Sequence, residues 1–360
     1  MMKKQTIIPF GPQHPVLPEP VHLDLVVEDE MVVEAIPRIG YVHRGLEKLV
    51  ETKDYVEMVY VAERICGICS YIHGMTYCQA VEKLMGVQIP ERAVYLRTLW
   101  SELARVHNHL MWLGFVADAF GFESLFMNCW RIREKTLDII EETTGGRVIF
   151  GAAKIGGVRR DIPIETLSRI VAQMDNEAKE IRAITNVFLN DSSVKHRLVD
   201  VGILSKADAY ASGAVGPVAR ASGISQDMRQ LPYAAFSAVK FEPVVETAGD
   251  CYARCVVRIR ELFESMQIIK QIALSVPEGP IEIKVTGNPT GEVIERTEQP
   301  RGEVIYYLKA NGTRHLDRLR IRTPTFANIP ALLKMIPGSQ LADIPILVLT
   351  IDPCISCTER

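Results

Sequence analysis

No stretch of this 360-residue chain stays apolar long enough to cross a bilayer; ILVLTI, near the C-terminal end, is among the longest such runs. The opening MMKKQTIIPFGP also lacks the extended apolar region of a secretory leader. Basic residues are spread out and the formal net charge is only −3, so nucleic acid is not an expected partner. There is no internal repeat and no low-complexity segment. The eight cysteines do not suggest a disulfide framework, which belongs to small secreted domains. In a chain read as cytoplasmic they argue for metal or redox chemistry. What is present is apolar bulk: 48% of the residues are hydrophobic, enough for a large core in one big domain or two.

The periodicity divides the chain into three regions. Residues 1–40 are proline-rich and then alternate, and VHLDLVVEDEMVVEAI predicts two short strands around a turn at Glu28–Glu30. Residues 41–280 carry a helical period: DYVEMVYVAERI, YIHGMTYCQAVEKLMG, the long apolar ERAVYLRTLWSELARVHNHLMWLGFVADAFG, a helix near Asn128–Thr143, and two more helices through IPIETLSRIV and TAGDCYARCVV. Residues 281–360 return to strands, with a hairpin turning at Asn311–Gly312 and short helices near Ile329 and Ala342. The expected class is mainly α, a helical bundle with small β elements at both ends.

Two CxxC pairs lie at opposite ends of the chain: Cys66 and Cys69 in ERICGICSYIHG, Cys354 and Cys357 in DPCISCTER. A zinc ribbon keeps such knuckles roughly 15–20 residues apart. Here a whole folded region must bring them together, the C-terminal segment returning the second pair to the core. If they meet, the result is an all-thiolate site suited to zinc, iron–sulfur clusters or another thiophilic metal. Cys78, Cys129, Cys251 and Cys255 lack this spacing and read as buried small hydrophobes.

The residues around the pairs narrow the choice. ERICGICSYIHG and DPCISCTER resemble the two metal-binding signatures of the large subunit of nickel–iron hydrogenases. YVHRGLEKL, QPRGEVIYYL and IRTPTF resemble three further motifs of that family, in the right order. GPQHPVLPEP and HRGLEK also resemble the quinone-pocket subunit of respiratory complex I, which shares the fold but lacks the four cysteines. Both features together are similar to the energy-converting, membrane-bound group of nickel–iron hydrogenases.

The resemblance implies a helical-bundle large-subunit fold and a binuclear nickel–iron centre whose iron carries carbon monoxide and cyanide. Cys66 and Cys354 become terminal ligands of nickel; Cys69 and Cys357 become bridges. Glu47 is the implied base for the proton of heterolytic H2 cleavage, although a lone Glu there would otherwise pair with Arg44 or Lys48. Arg301 is expected over the open metal face, against the plainer reading of a solvated hairpin arginine. His73 is expected beside the bridging Cys69, with Pro324 and Thr325 close to the ligands. His109 and Asp118, in the long apolar helix, are weaker candidates for a proton path.

Relatives place His after the last CxxC and use it for a structural magnesium. This chain has Arg360, which puts magnesium in question; Glu19 is the candidate carboxylate ligand. A C-terminal extension is either absent or already removed. The implied activity is the reversible reduction of protons to H2, linked to ferredoxin and coupled to ion translocation. The implied partners are an iron–sulfur small subunit, a ferredoxin-like electron-transfer subunit and integral-membrane ion-translocating subunits, with the chain peripheral on the inner face of the membrane. Two alternatives stand beside it: a non-catalytic zinc-stapled or quinone-site subunit of a complex I-like assembly, and a hydrogenase linked to carbon monoxide oxidation.

Overall fold

The computed structural model describes residues 5–360. Strands β1 (Thr6–Phe10), β2 (His22–Glu28) and β3 (Met31–Arg38) form an antiparallel sheet in that order. Leu23, Leu25 and Val27 point inward and the intervening residues outward, the period of a half-buried strand. Asp29 and Glu30 turn the chain with φ of 49° and 69°, at the turn expected from the alternation. The segment 11–21 between β1 and β2 leaves the sheet and crosses to the C-terminal cysteines, carrying Glu19 with it.

Helix does not begin at Tyr41, as the periodicity suggested. Gly40 and Gly45 take φ of 128° and 66°, and residues 40–57 hold only a short 3-10 turn, Lys48–Glu51. Continuous helix follows in α1 (Met58–Glu63), α2 (Ser70–Met85), α3 (Glu91–Ala119) and α4 (Glu123–Thr144). Gly86 and Gly145 close α2 and α4 in the left-handed conformation that favours glycine. Next come a small hairpin, β4 (Ala153–Lys154) with β5 (Gly157–Val158), and then α5 (Ile164–Asn190). Three short helices, α6 (Ser192–Leu198), α7 (Lys206–Ala211) and α8 (Gly216–Ala221), precede α9 (Cys251–Ser275). The axis of the bundle is α3, nearly all of it buried, packed chiefly against α4 and α9.

The C-terminal region holds one strand more than the expected hairpin. β6 (Thr290–Gln299), β7 (Gly302–Asn311) and β8 (Leu316–Arg322) form an antiparallel meander. The β7–β8 turn is longer than a two-residue Asn–Gly loop, because Asn311 stays in β7 and its side chain accepts from the Thr313 amide and hydroxyl. Helices α10 (Pro324–Met335), α11 (Ile344–Thr350) and α12 (Ile355–Thr358) end the chain. Among the described residues no helix is long and apolar enough to cross a membrane.

One backbone contact positions the β6–β7 turn. Gly216 at φ 64° lies so close that an added Cβ would stand 2.2 Å from the Arg301 carbonyl oxygen. Gly302 faces the same contact, its added Cβ falling 2.7 Å from the Gly216 nitrogen. Only two glycines let these backbones touch. Gly216→Ala is expected to lower the unfolding free energy by about 1–3 kcal/mol. Gly86→Ala, at φ 63° but with open space around it, should cost less. Denaturant titration of the two variants checks this; equal losses would remove the steric account.

Candidate metal centre

The two CxxC pairs meet. Cys66 and Cys69 lie in the α1–α2 connection, and Cys69 is the N-cap of α2. Cys354 caps α12 and Cys357 lies within it. The Cys66 and Cys354 sulfurs are 3.3 Å apart, and those of Cys69 and Cys357 3.5 Å. The sulfurs of Cys66, Cys69 and Cys357 lie within 4.8 Å of one another, and all four thiols are free and buried. The amides of Ile68 and Cys69 donate to the Cys66 sulfur at 3.2 and 3.3 Å. Hydrogen bonds from Cys354, Cys357 and Cys69 hold the Cys66 thiol well below its ordinary range, against burial and with help from the Arg301 charge. Burial pushes Cys69 and Cys357 well above theirs. Four soft donors at one dry point suit a thiophilic cation, which would relieve the repulsion between neighbouring thiolates. Away from this point burial pushes the thiols of Cys129 and Cys255 up to about 12, as expected of inert core cysteines.

The surroundings are built from distant segments. Arg301 is only 2% exposed, which excludes the solvated hairpin arginine. Its Nε donates to the Asp352 carbonyl at 2.7 Å and Nη2 to the Asp352 carboxylate at 2.9 Å, while Nη1 has no partner. Although burial opposes its charge, Asp352 and the Cys354, Cys66 and Cys69 sulfurs raise its pKa further. The ring of His73 bridges Tyr306 Oη (Nδ1, 2.7 Å) and Cys357 Sγ (Nε2, 3.4 Å). Its sulfur partner is therefore Cys357, where Cys69 was expected. Burial lowers its pKa to about 4, so the ring is neutral and can donate from Nε2 while accepting from Tyr306. Thr325 Oγ1 accepts from the Cys354 amide at 3.1 Å, and Thr323 Oγ1 donates to the Cys357 carbonyl at 3.0 Å. Pro324 begins α10 between them, where its missing N–H costs nothing. Arg44 clamps both halves, donating to the Arg64, Ile65 and Ser356 carbonyls at 2.8–3.0 Å.

Of the two candidate glutamates, Glu19 and not Glu47 is the one beside the sulfurs. Glu47 makes no hydrogen bond to any of the four thiols. Its Oε1 accepts from the Ile321 amide at 2.8 Å and Arg360 Nε at 2.9 Å, and Oε2 from Arg320 at 2.9 Å. Burial raises its pKa, but Arg320, Ile321 and Arg360 together bring it below the ordinary range. Glu19 is the carboxylate beside the sulfurs: Oε1 is 3.7 Å from Cys354 Sγ, and Oε2 accepts from the Ile355 and Ser356 amides. Burial, then the Cys66 charge, raises its pKa. Neither carboxylate fits magnesium. Glu19 faces sulfur and backbone amides, and the cavity beside Glu47 is lined by Lys48, Arg318, Arg320 and Arg360, whose positive charge opposes a dication. Asp118 is exposed at the end of α3, outside any internal path. His109 is buried, bound through Nε2 to Glu261 at 3.0 Å.

Sequence reasoning missed Tyr306, Thr323 and Asp352. Asp352, beside the second CxxC in DPCISC, carried a signal; Tyr306 and Thr323 carried none beyond strand and turn patterning.

The sequence and the fold were compared with known proteins. Residues 44–116 match the family described as nickel-dependent hydrogenase. Residues 119–287 and 282–360 match the family described as respiratory-chain NADH dehydrogenase, 49 Kd subunit. The chain is 40% identical to the carbon monoxide-induced hydrogenase of Rhodospirillum rubrum, over 98% of this chain and 99% of that protein. It is 39% identical to the membrane-bound hydrogenase subunit alpha of Pyrococcus furiosus, over 98% of this chain and 87% of that one. A chain in the structure of an archaeal membrane-bound sulfane sulfur reductase superimposes with a TM-score of 0.94 at 30% identity, covering 99% of this chain and 98% of the other.

Cys66→Ser and Cys357→Ser each remove one of the four converging thiols. Each variant is expected to lose more than about nine-tenths of its bound transition metal, measured per chain by elemental mass spectrometry. Full metal content in either variant would take that cysteine out of the ligand set.

Proposed function

The chain belongs to the large-subunit family shared by nickel-dependent hydrogenases and the 49 kDa subunit of respiratory NADH dehydrogenase, and we propose that it is the catalytic subunit of a membrane-associated nickel–iron hydrogenase. The single observation that carries this reading is the meeting of four buried thiols with a buried arginine and a half-buried carboxyl. Cys66, Cys69, Cys354 and Cys357 would together hold the centre. When bound, the centre supplies heterolytic cleavage of H2 and its reverse.

The chain's residues supply the rest. Glu19 takes the role first given to Glu47. Its Oε2 is anchored to backbone amides while Oε1 faces the Cys354 sulfur, so one oxygen is left to carry a proton. Burial and the Cys66 charge raise its pKa above the ordinary carboxyl value, which favours holding a proton there. Arg301 presents a fixed positive charge at the sulfurs, and Asp352 holds its fork so that no reorganisation is needed when charge moves. His73, locked by Tyr306, steadies the Cys357 sulfur. Glu47, tied to Arg320 and Arg360, holds the C-terminal segment against β8.

Electrons arrive through an iron–sulfur small subunit from a ferredoxin-type carrier. Membrane subunits couple the flow to ion translocation; similarity to the membrane-bound hydrogenase subunit alpha supports this arrangement. Metal analysis of the purified complex separates the readings: nickel with iron fits the hydrogenase, zinc or no metal fits a non-catalytic complex I-like subunit.

Glu19→Gln keeps the shape and removes the titratable proton. It should retain the metals and lower H2/D2 exchange with solvent by about 10²-fold or more. Glu47→Gln should leave exchange per bound nickel nearly unchanged. The reverse pattern would return the proton to Glu47.

Arg301→Lys keeps the charge but loses the planar fork. Turnover per bound nickel is expected to fall by about 10²-fold at normal metal content. Dividing by nickel removes assembly defects, so a wild-type value would leave Arg301 no part in the reaction.

A further inference from the structure

Glu63, the last residue of α1, is fully buried, and no hydrogen bond of good geometry reaches either of its oxygens, although the Gly151 backbone lies close by. The two nearby cations are engaged elsewhere: Arg64 donates to the Tyr60 carbonyl at 2.9 Å, and Arg159 lies over the exposed Tyr60 ring at 4.7 Å. The carboxyl rests directly on α2 where Gly74 leaves room. A Cβ there would fall 2.5 Å from Glu63 Cγ and 2.9 Å from Oε1.

Glu63 is one of several such groups. Tyr71 Oη, Ser101 Oγ, both ring nitrogens of His107 and both amide atoms of Asn108 are also buried without partners. Tyr71 lies one helical turn before Gly74 on α2. Its ring stacks on Phe150 at 5.3 Å, and Phe150 meets the His107 ring at 6.4 Å. His107 in turn approaches the backbone of Ile68, inside the first CxxC. Each unpartnered group costs about 1–3 kcal/mol when dry. Glu63, Tyr71 and His107, linked through Gly74 and Phe150 between α1, α2 and α3, are tolerable in that seam when ordered water supplies the missing bonds.

We propose that these groups line a water-filled passage carrying protons between the surface at Tyr60 and Arg159 and the thiolate centre, with Glu63 as its proton-holding group. The inference rests on the hydrogenase reading for its purpose. The carboxyl O–H gives its proton to a water on the Tyr71 side and regains one from the surface side, so nothing is oxidised or reduced. Burial raises the Glu63 pKa to about 7, opposed in part by Arg159, Arg64 and the Gly151 backbone, which suits a group that must load and unload near neutrality. Of the other charged groups around the seam, Arg97 and Glu82 are paired with each other at 2.6 Å, and the His107 ring is neutral, its pKa lowered by burial to about 3.

The test uses the purified complex. Infrared difference spectra taken across neutrality should contain a protonated-carboxyl band that shifts in D2O and is missing in Glu63→Gln. H2/D2 exchange per bound nickel should fall at least about tenfold in Glu63→Gln and recover partly in Glu63→Asp. Gly74→Ala, which favours helix and crowds the carboxyl, should slow exchange without loss of nickel; it serves if the Glu63 variants misfold. The band requires no hydrogen chemistry, so it tests the passage even if the hydrogenase reading fails. An unchanged band, or unchanged exchange in all the variants, overturns the proposal.

Discussion

Everything at the centre depends on holding two thiol pairs from opposite ends of the chain against one another. Buried sulfurs 3.3–3.5 Å apart do not stay together by their own attraction, since any negative charge they share repels. The closure comes from cross-links between backbone and charged side chains. Arg44 draws the Arg64 and Ile65 carbonyls and the Ser356 carbonyl to one guanidinium. Glu359 accepts from the Gly40 amide at 2.6 Å and the Val42 amide at 2.5 Å. Glu47 ties Arg360 to β8, and Glu19 ties the β1–β2 connection to the start of α12. Five segments of the chain are thus stapled within one shell, and each staple uses a charged partner, which makes the stronger hydrogen bonds.

A second set of buried charges fixes the arginine side of the centre. Arg220 pairs with Glu261 at 2.7 Å and Glu298 at 2.9 Å, and Arg229 with Asp227 at 2.8 Å and Glu102 at 3.2 Å. Arg105 donates to the Glu298 and Gln299 carbonyls at 3.0 and 3.1 Å. The end of β6 is therefore locked to α3, α8 and α9, and Arg301 follows at once in the β6–β7 turn. Buried ion pairs add little net stability, but losing one partner leaves a charge stranded in the core. Their service here is geometric: the Gly216–Gly302 contact sets how near the turn may come, and the ion network sets its direction.

Much of this was legible from the residues. The alternation in VHLDLVVEDEMVVEAI produced the β2–β3 pair, and the long apolar stretch produced α3, because strand and helix periods are local properties. The convergence of the four thiols was legible for a different reason: two CxxC pairs in characteristic contexts have few other uses. The extra strand β6 and the short helices α6 to α8 were not, since their patterns are brief and become regular only when packed. The positions of Glu19 and Glu47 relative to the sulfurs were not legible, because both lie in segments without regular helix or strand, where local spacing says nothing about direction.

The sequence by itself determined the secondary-structure plan, the identity of the four thiols and the presence of an arginine and acidic residues in the motifs. Those are matters of composition and local period. The tertiary structure alone decided which carboxylate reaches the sulfurs, that His73 meets Cys357 and Tyr306, that arginines line the cavity beside Glu47, and that the Glu63 carboxyl is buried against α2. Each of these turns on a contact between segments remote along the chain, where an ångström of approach separates a hydrogen bond from none, and only the folded core sets that distance.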